Sequence, residues 1–150
     1  MPQSHARVLI HVVFATKRRQ PLIRMDTEAD LFAYMAATLK AQGAPALLVG
    51  GTDDHVHILC SLSRTVAIAD VIEEVKTGSS KWMKTRGPEL RGFSWQAGYG
   101  VFSVAPDRVE AVKRYIATQR EHHRKRTFQE EYLEILRAAG VTFDERYMWD

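Results

Sequence analysis

A glycine- and aspartate-rich turn between two short apolar runs constrains the middle of this chain most. Gly50-Gly51-Thr52-Asp53-Asp54 separates Ala46–Val49 from Val56–Leu62. Glycine and aspartate supply the backbone angles a turn requires, so the segment predicts two strands joined as a hairpin. A strand sends successive side chains to opposite faces, which puts Val56 and Ile58 in one layer and His55 and His57 on the other. Two imidazoles on one face, within about 7 Å, are spaced to chelate a metal. The same spacing also suits one hydrogen-bonded, half-buried histidine beside a solvated one, and the pair alone does not decide between these.

The flanking segments extend the pattern. Val8–Thr16 is β-branched and aromatic and runs into Lys17-Arg18-Arg19 and Pro21, which predicts a strand followed by a loop. Leu31, Tyr34, Met35, Thr38 and Leu39 recur at helical spacing, with Asp26, Thr27 and Glu28 in front and Gly43 just behind. A second helix is predicted from about Thr65, with Ile68, Val71, Ile72 and Val75 on one face and Gly78-Ser79-Ser80 as a point where it kinks or ends. Phe93–Val104 has strand composition interrupted by Gly98 and Gly100. Pro106 opens a third helix to about His123, and a fourth runs from Thr127 to Ala139, stopped by Gly140, with Thr127 and Glu130 at capping-box spacing. The order βαββαβ plus two helices predicts an α+β fold, a ferredoxin-like antiparallel sheet with a C-terminal helical extension, over residues 1–150 as one domain.

Composition narrows the chemistry without choosing it. A net charge of +3 permits a polyanionic partner. One cysteine, Cys60, excludes an intrachain disulfide and reads as a core residue in a reducing compartment. The apolar run Val8–Ala15 precedes its basic cluster, the reverse of a signal peptide, and no run reaches the roughly 18 apolar residues of a membrane helix. The expectation is a cytoplasmic protein with no membrane partner.

In the third helix Val109, Val112 and Ile116 form the core stripe, and Tyr115, Gln119 and His122 line the flank. Tyr115 and Gln119, at i and i+4, project together. Separately, the tyrosine reads as a core-edge aromatic and the glutamine as a surface residue. Together with His55-Val56-His57 they form a pattern that resembles the IS200/IS605 single-tyrosine (HUH) transposases, including relatives associated with repetitive extragenic palindromes. The likeness also takes in His11-Val12-Val13-Phe14-Ala15-Thr16-Lys17, Tyr115-Ile116-Ala117-Thr118-Gln119 with His122-His123, Thr127-Phe128, Glu131 and Asp144–Trp149, and so spans almost the whole chain.

The resemblance implies a DNA strand transferase in which His55, His57 and Gln119 hold a divalent metal, Mg²⁺ or Mn²⁺, and Tyr115 is the nucleophile. It implies single-stranded DNA with imperfect hairpins as substrate and a covalent 5′-phosphotyrosine as intermediate. It further implies a homodimer in which the tyrosine helix of one subunit can serve the histidine pair of the other. A non-catalytic single-strand binder of the same fold and a plain metallohydrolase are the competing readings.

Basic residues flank the proposed site, Lys17, Arg18, Arg19 and Arg24 on one side and Arg120, Arg124, Lys125 and Arg126 with His122 and His123 on the other, and are read as phosphate contacts. Lys76, Ser79, Lys81 and Trp82 either grip a hairpin and stack a base or form an ordinary amphipathic helix end. His11 lies near the metal if its strand neighbours that of His57, and otherwise caps a strand. Asp53 and Asp54 read as turn residues, and Arg91-Gly92-Phe93 and the paired glycines lack the continuation that known nucleotide-binding motifs require.

Overall fold

The computed structural model describes residues 2–149. Its elements are β1 (Val8–Ala15), α1 (Met25–Ala41), β2 (Ala46–Gly51), β3 (His55–Leu62), α2 (Ile68–Lys84), β4 (Gly100–Val104), α3 (Val109–Ala117), a single turn α4 (Gln119–His122) and α5 (Phe128–Ala138). The strands form one sheet in the order β2-β3-β1-β4, every neighbouring pair antiparallel. This is the ferredoxin-like arrangement expected of βαββαβ, with both βαβ crossovers placing their helices on one face.

Strand parity divides the sheet into two faces. Ile10, Val12 and Phe14 of β1 and Val56, Ile58 and Cys60 of β3 pack against Leu31, Met35 and Leu39 of α1 and Val71, Ile72 and Val75 of α2. Phe14, Met35 and Ile58 are almost wholly buried there, and a large apolar side chain removed from water contributes about 1.5–3 kcal/mol. Cys60 lies in this layer, where burial pushes its thiol up to about 11, as a core cysteine behaves. The opposite face carries His11, His55 and His57 and is covered by α3, α4 and α5.

Three predicted boundaries differ from the structure. Helix α2 runs through Gly78-Ser79-Ser80 without a break. The small residues serve packing: a Cβ on Gly78 would stand 3.2 Å from the Tyr34 hydroxyl of α1, and Ser79 is buried, donating to the Val75 carbonyl at 2.6 Å while accepting from the Trp95 indole at 2.9 Å. The strand expected over Phe93–Val104 is regular only from Gly100, because residues 93–99 leave the sheet apart from an isolated Thr16–Trp95 bridge. A Cβ on Gly100 would lie 2.7 Å from the Tyr132 hydroxyl, so this glycine lets α5 approach β4.

The third helix is also shorter than predicted. Thr118 leaves helical geometry at φ −106° and ψ 24°, and its hydroxyl bonds the Arg114 carbonyl at 2.8 Å, a local competition that weakens a helix interior. Gln119 then begins α4. Helix α5 has the predicted capping box, with Thr127 Oγ1 accepting from Glu130 N–H at 3.2 Å and Glu130 Oε1 accepting from Thr127 N–H at 3.3 Å.

Candidate active site

Adjacent strands and two helices bring the chemistry together. His55 and His57 open β3, opposite Ala15 and Val13 of β1. One diagonal step along β1, His11 presents Nε2 at 2.7 Å from His57 Nδ1, so the open question about His11 is answered by strand adjacency. From above, Gln119 Oε1 approaches His55 Nε2 at 2.9 Å. Glu131 of α5 places Oε1 at 3.1 Å from His57 Nε2 and 3.5 Å from His55 Nε2. His55, His57, Gln119 and Glu131 are all buried.

The proton positions follow from the partners. The Asp54 carboxylate stands 2.8 Å from His55 Nδ1, and a carboxylate only accepts, so Nδ1 carries the hydrogen. His55 Nε2 then faces the Gln119 carbonyl oxygen and the Glu131 carboxylate, an arrangement that a proton on Nε2 or a bound cation satisfies. One donor atom each from His55, His57 and Glu131 lie within 4.8 Å of one another. Two imidazole nitrogens and a carboxylate, with an amide oxygen beside them, suit a divalent metal. Asp54 and His11 orient the two histidines through their remaining nitrogens, the usual outer support of metal-bound imidazole. Asp54 therefore does more than the turn role the sequence suggested.

Electrostatics favour the same protonation states. Burial, aided by repulsion between neighbouring imidazoles, lowers His57 to about 4 and His11 to about 3, leaving both neutral near pH 7. Burial alone would raise Glu131, but hydrogen bonds from His123 and His57 hold it well below the ordinary carboxylate range. The Tyr115 hydroxyl donates to Glu131 Oε2, on the other oxygen of the carboxylate that meets the histidines. Burial and that negative neighbour push the phenol above its usual range. Tyr115 also meets the His57 ring edge to face, 5.7 Å between centroids and 82° between planes, within one chain.

The structure brings His55, His57, Gln119 and Tyr115 into one cluster, and adds Glu131, which sequence reasoning had not named as a donor. A signal existed: Phe128, Ile135 and Leu136 set the buried stripe of α5, and Glu131 falls on that stripe at i+3 from Phe128. A carboxylate on an apolar helix face is rarely buried without a partner.

The predicted phosphate contacts separate into groups. His123 joins the centre, 3.2 Å from both Gln119 Oε1 and Glu131 Oε1. His122 bonds Thr118 Oγ1 at 3.1 Å and tilts over the Tyr115 ring. Arg120 is paired with Glu28 of α1, and with Arg124 it lines a cavity of about 780 Å³ that reaches His123. Lys17 and Arg18 are exposed on a 3-10 turn after β1, and Arg19 lies over the Trp149 ring at 5.5 Å. Lys76 instead ties down the 95–99 loop, donating to the Gln96 and Gly98 carbonyls at 2.7 Å each. Lys81 is exposed beside a second cavity of about 520 Å³, lined by α2 together with Trp95 and Tyr99.

Comparison with known proteins decides the family. Residues 4–119 match the family described as "Transposase IS200 like". The chain belongs to the IS200-like transposases. The matched segment holds His55, His57, Tyr115 and Gln119 and stops before Arg126 and Glu131. A curated relative of this IS200-like chain, the ISDra2 transposase TnpA of Deinococcus radiodurans, is 22% identical over 116 residues, covering 74% of this chain and 83% of the relative.

Two solved structures share the fold. A crystal structure assigned as a transposase from Deinococcus radiodurans superposes with a TM-score of 0.62 at 20% identity, over 79% of this chain and 98% of that one. A REP-associated tyrosine transposase bound to a REP hairpin superposes with a TM-score of 0.61 at 10% identity, over 82% of this chain and 73% of that one. Among the described residues, no helix is long and apolar enough to cross a membrane.

Proposed function

We propose that this transposase cleaves and rejoins single-stranded DNA at hairpin-marked sites, with Tyr115 as nucleophile and a divalent metal at His55, His57, Gln119 and Glu131. One observation carries the reading: a single buried carboxylate, Glu131, holds the Tyr115 hydroxyl on one oxygen and meets the histidine nitrogens with the other. The nucleophile and the ligand cluster are thereby fixed relative to each other. Mg²⁺ or Mn²⁺ bound there supplies charge to polarise the non-bridging oxygens of a phosphodiester.

The chain's own residues do the rest. Asp54 and His11 orient the His55 and His57 rings through their Nδ1 atoms, and Phe128 of α5 covers the His55 ring. Attack of the Tyr115 oxygen on phosphorus breaks the P–O3′ bond and leaves a 5′-phosphotyrosine and a 3′-hydroxyl. The bond energy is retained in the tyrosyl ester, so a 3′-hydroxyl from another strand end reverses the step and no nucleotide cofactor is needed.

Hairpin recognition draws support from the REP-hairpin-bound neighbour of the same fold, and exposed Lys17, Arg18 and Arg124 suit the phosphate backbone. A homodimer with shared sites is part of the proposal, although Tyr115 in this conformation stands against the histidines of its own chain. Incubation with a labelled single-stranded element end and Mn²⁺ is expected to give a covalent protein–DNA adduct that Tyr115→Phe abolishes. An adduct that survives this substitution removes the nucleophile assignment. DNA binding with no adduct favours the non-catalytic reading, and strand cleavage with no protein-linked product favours a metallohydrolase.

A further inference from the structure

We propose that Arg126 is a catalytic residue of this site: its guanidinium holds the Tyr115 oxygen as it becomes anionic, then a non-bridging oxygen of the phosphate the tyrosine receives. The inference rests on the functional reading above and adds a residue beyond the 4–119 segment that defines the family match.

Arg126 lies in the short connection between α4 and α5, immediately before the Thr127 cap. Its Nη2 donates to the Tyr115 hydroxyl at 3.4 Å, while its other terminal nitrogen pairs with Glu134 of α5. The phenol oxygen is thus bonded on two sides, donating its hydrogen to Glu131 and accepting from Arg126. Losing the phenol proton beside the Glu131 carboxylate places two anionic oxygens together, which is costly in a partly buried site. A guanidinium on the same phenol oxygen offsets that repulsion.

Geometry also favours arginine over a generic cation. The guanidinium is planar, always charged and carries five N–H donors, so it can keep Glu134 and the tyrosyl oxygen and still meet a phosphate oxygen. Arg126 borders the cavity of about 780 Å³ that also holds His123, Arg124 and Lys125, so a DNA phosphate entering there reaches Arg126 next to Tyr115. The Tyr115 oxygen forms the new bond to phosphorus, the P–O3′ bond breaks, and the phenol proton ends on the departing 3′ oxygen. No oxidant or further reactant is required.

The test is single-turnover adduct formation on a labelled single-stranded hairpin substrate with Mn²⁺, comparing wild type, Arg126→Gly, Arg126→Lys and Glu134→Gln. Arg126→Gly is expected to slow adduct formation by ~10²-fold or more at saturating DNA, the scale of losing one donor to a developing anion. Guanidinium added at millimolar concentration is expected to restore a large part of the loss, with Mn²⁺ affinity unchanged. Arg126→Lys should fall between the two, and Glu134→Gln should stay near wild type. A wild-type rate in Arg126→Gly overturns the proposal, as does a loss that guanidinium does not restore. A wild type that forms no adduct sinks the functional reading and this one with it, whereas a normal wild type beside an unaffected Arg126→Gly sinks this one alone.

Discussion

The two faces of the central sheet are built from alternate residues of the same strands and do opposite things. On the helical face, Ile10, Val12, Phe14, Val56, Ile58 and Cys60 meet α1 and α2 in an apolar layer that includes a free thiol. On the other, His11, His55 and His57 are as deeply buried but meet Gln119, Glu131 and Tyr115. Burial on the first face is favourable in itself. Burial on the second strips water from imidazoles and a carboxylate and is tolerable only because each polar atom finds a partner. The lesson is that burial has two meanings in one sheet: it supplies stability on one side and a low-dielectric, preorganised site on the other.

The sharpest way to break this contrast is His57→Ala. It should reduce Mn²⁺-dependent adduct formation by ~10³-fold or more. The metal-free protein should lose only about 1–3 kcal/mol, from leaving Glu131 and His11 short of a partner. If stability collapses instead while adduct formation persists, the polar face is structural and the contrast fails.

Phe14→Ala should behave in reverse. Phe14 is wholly buried between Trp95 and the Lys76 ammonium. Truncation should cost about 3–5 kcal/mol in a urea titration, while the adduct-forming rate per folded molecule, measured well below the unfolding midpoint, stays near wild type. A large rate loss in a still-folded Phe14→Ala protein would show that the faces are coupled.

The smallest effect concerns pH. Unfolded imidazoles titrate near 6.5, whereas burial lowers His57 to about 4 and His11 to about 3. Below pH 6.5 the unfolded chain binds more protons at these two groups, so their contribution, fully present above 6.5, is lost as pH falls. His123 acts oppositely: burial would lower it, but the Glu131 hydrogen bond raises it, so its contribution is present below 6.5 and lost as pH rises. Because the two lowered histidines are stacked neighbours, the net expectation is that of roughly one group, up to about 1.4 kcal/mol per pH unit between pH 6.5 and 5. Urea midpoints in the presence of a chelator check this, and His57→Phe should flatten the slope. A slope of opposite sign would mean that these histidines are charged in the folded protein.

Much of this was legible in the chain. Parity in Val56-His57-Ile58 assigned the two faces, and the turn at Gly50–Asp54 fixed where β3 starts. The α1 stop at Gly43, which adopts φ 78°, and the Thr127–Glu130 capping box were equally readable, because caps and turns are local chemistry. Where local signals misled, a tertiary partner had overridden them. Gly78 and Ser79 look like a helix end but make room for Tyr34 and bond Trp95. Gly98 and Gly100 look like flaws in a long strand, yet the strand begins only at Gly100, which yields its side-chain space to Tyr132.

By itself the sequence determined the order and type of the elements, since periodicity and turns are properties of neighbours along the chain, and its resemblance to the IS200/IS605 family singled out His55, His57, Tyr115 and Gln119 as a set. Only the tertiary structure decided that the set is completed by Glu131 and touched by Arg126. Both come from beyond the break at Thr118, where α5 folds back across the histidine face. A helix's periodicity says which face it buries but not against what, and the partner of a buried charge is chosen by docking across 74 residues of sequence from His57 to Glu131, a separation that no local rule spans.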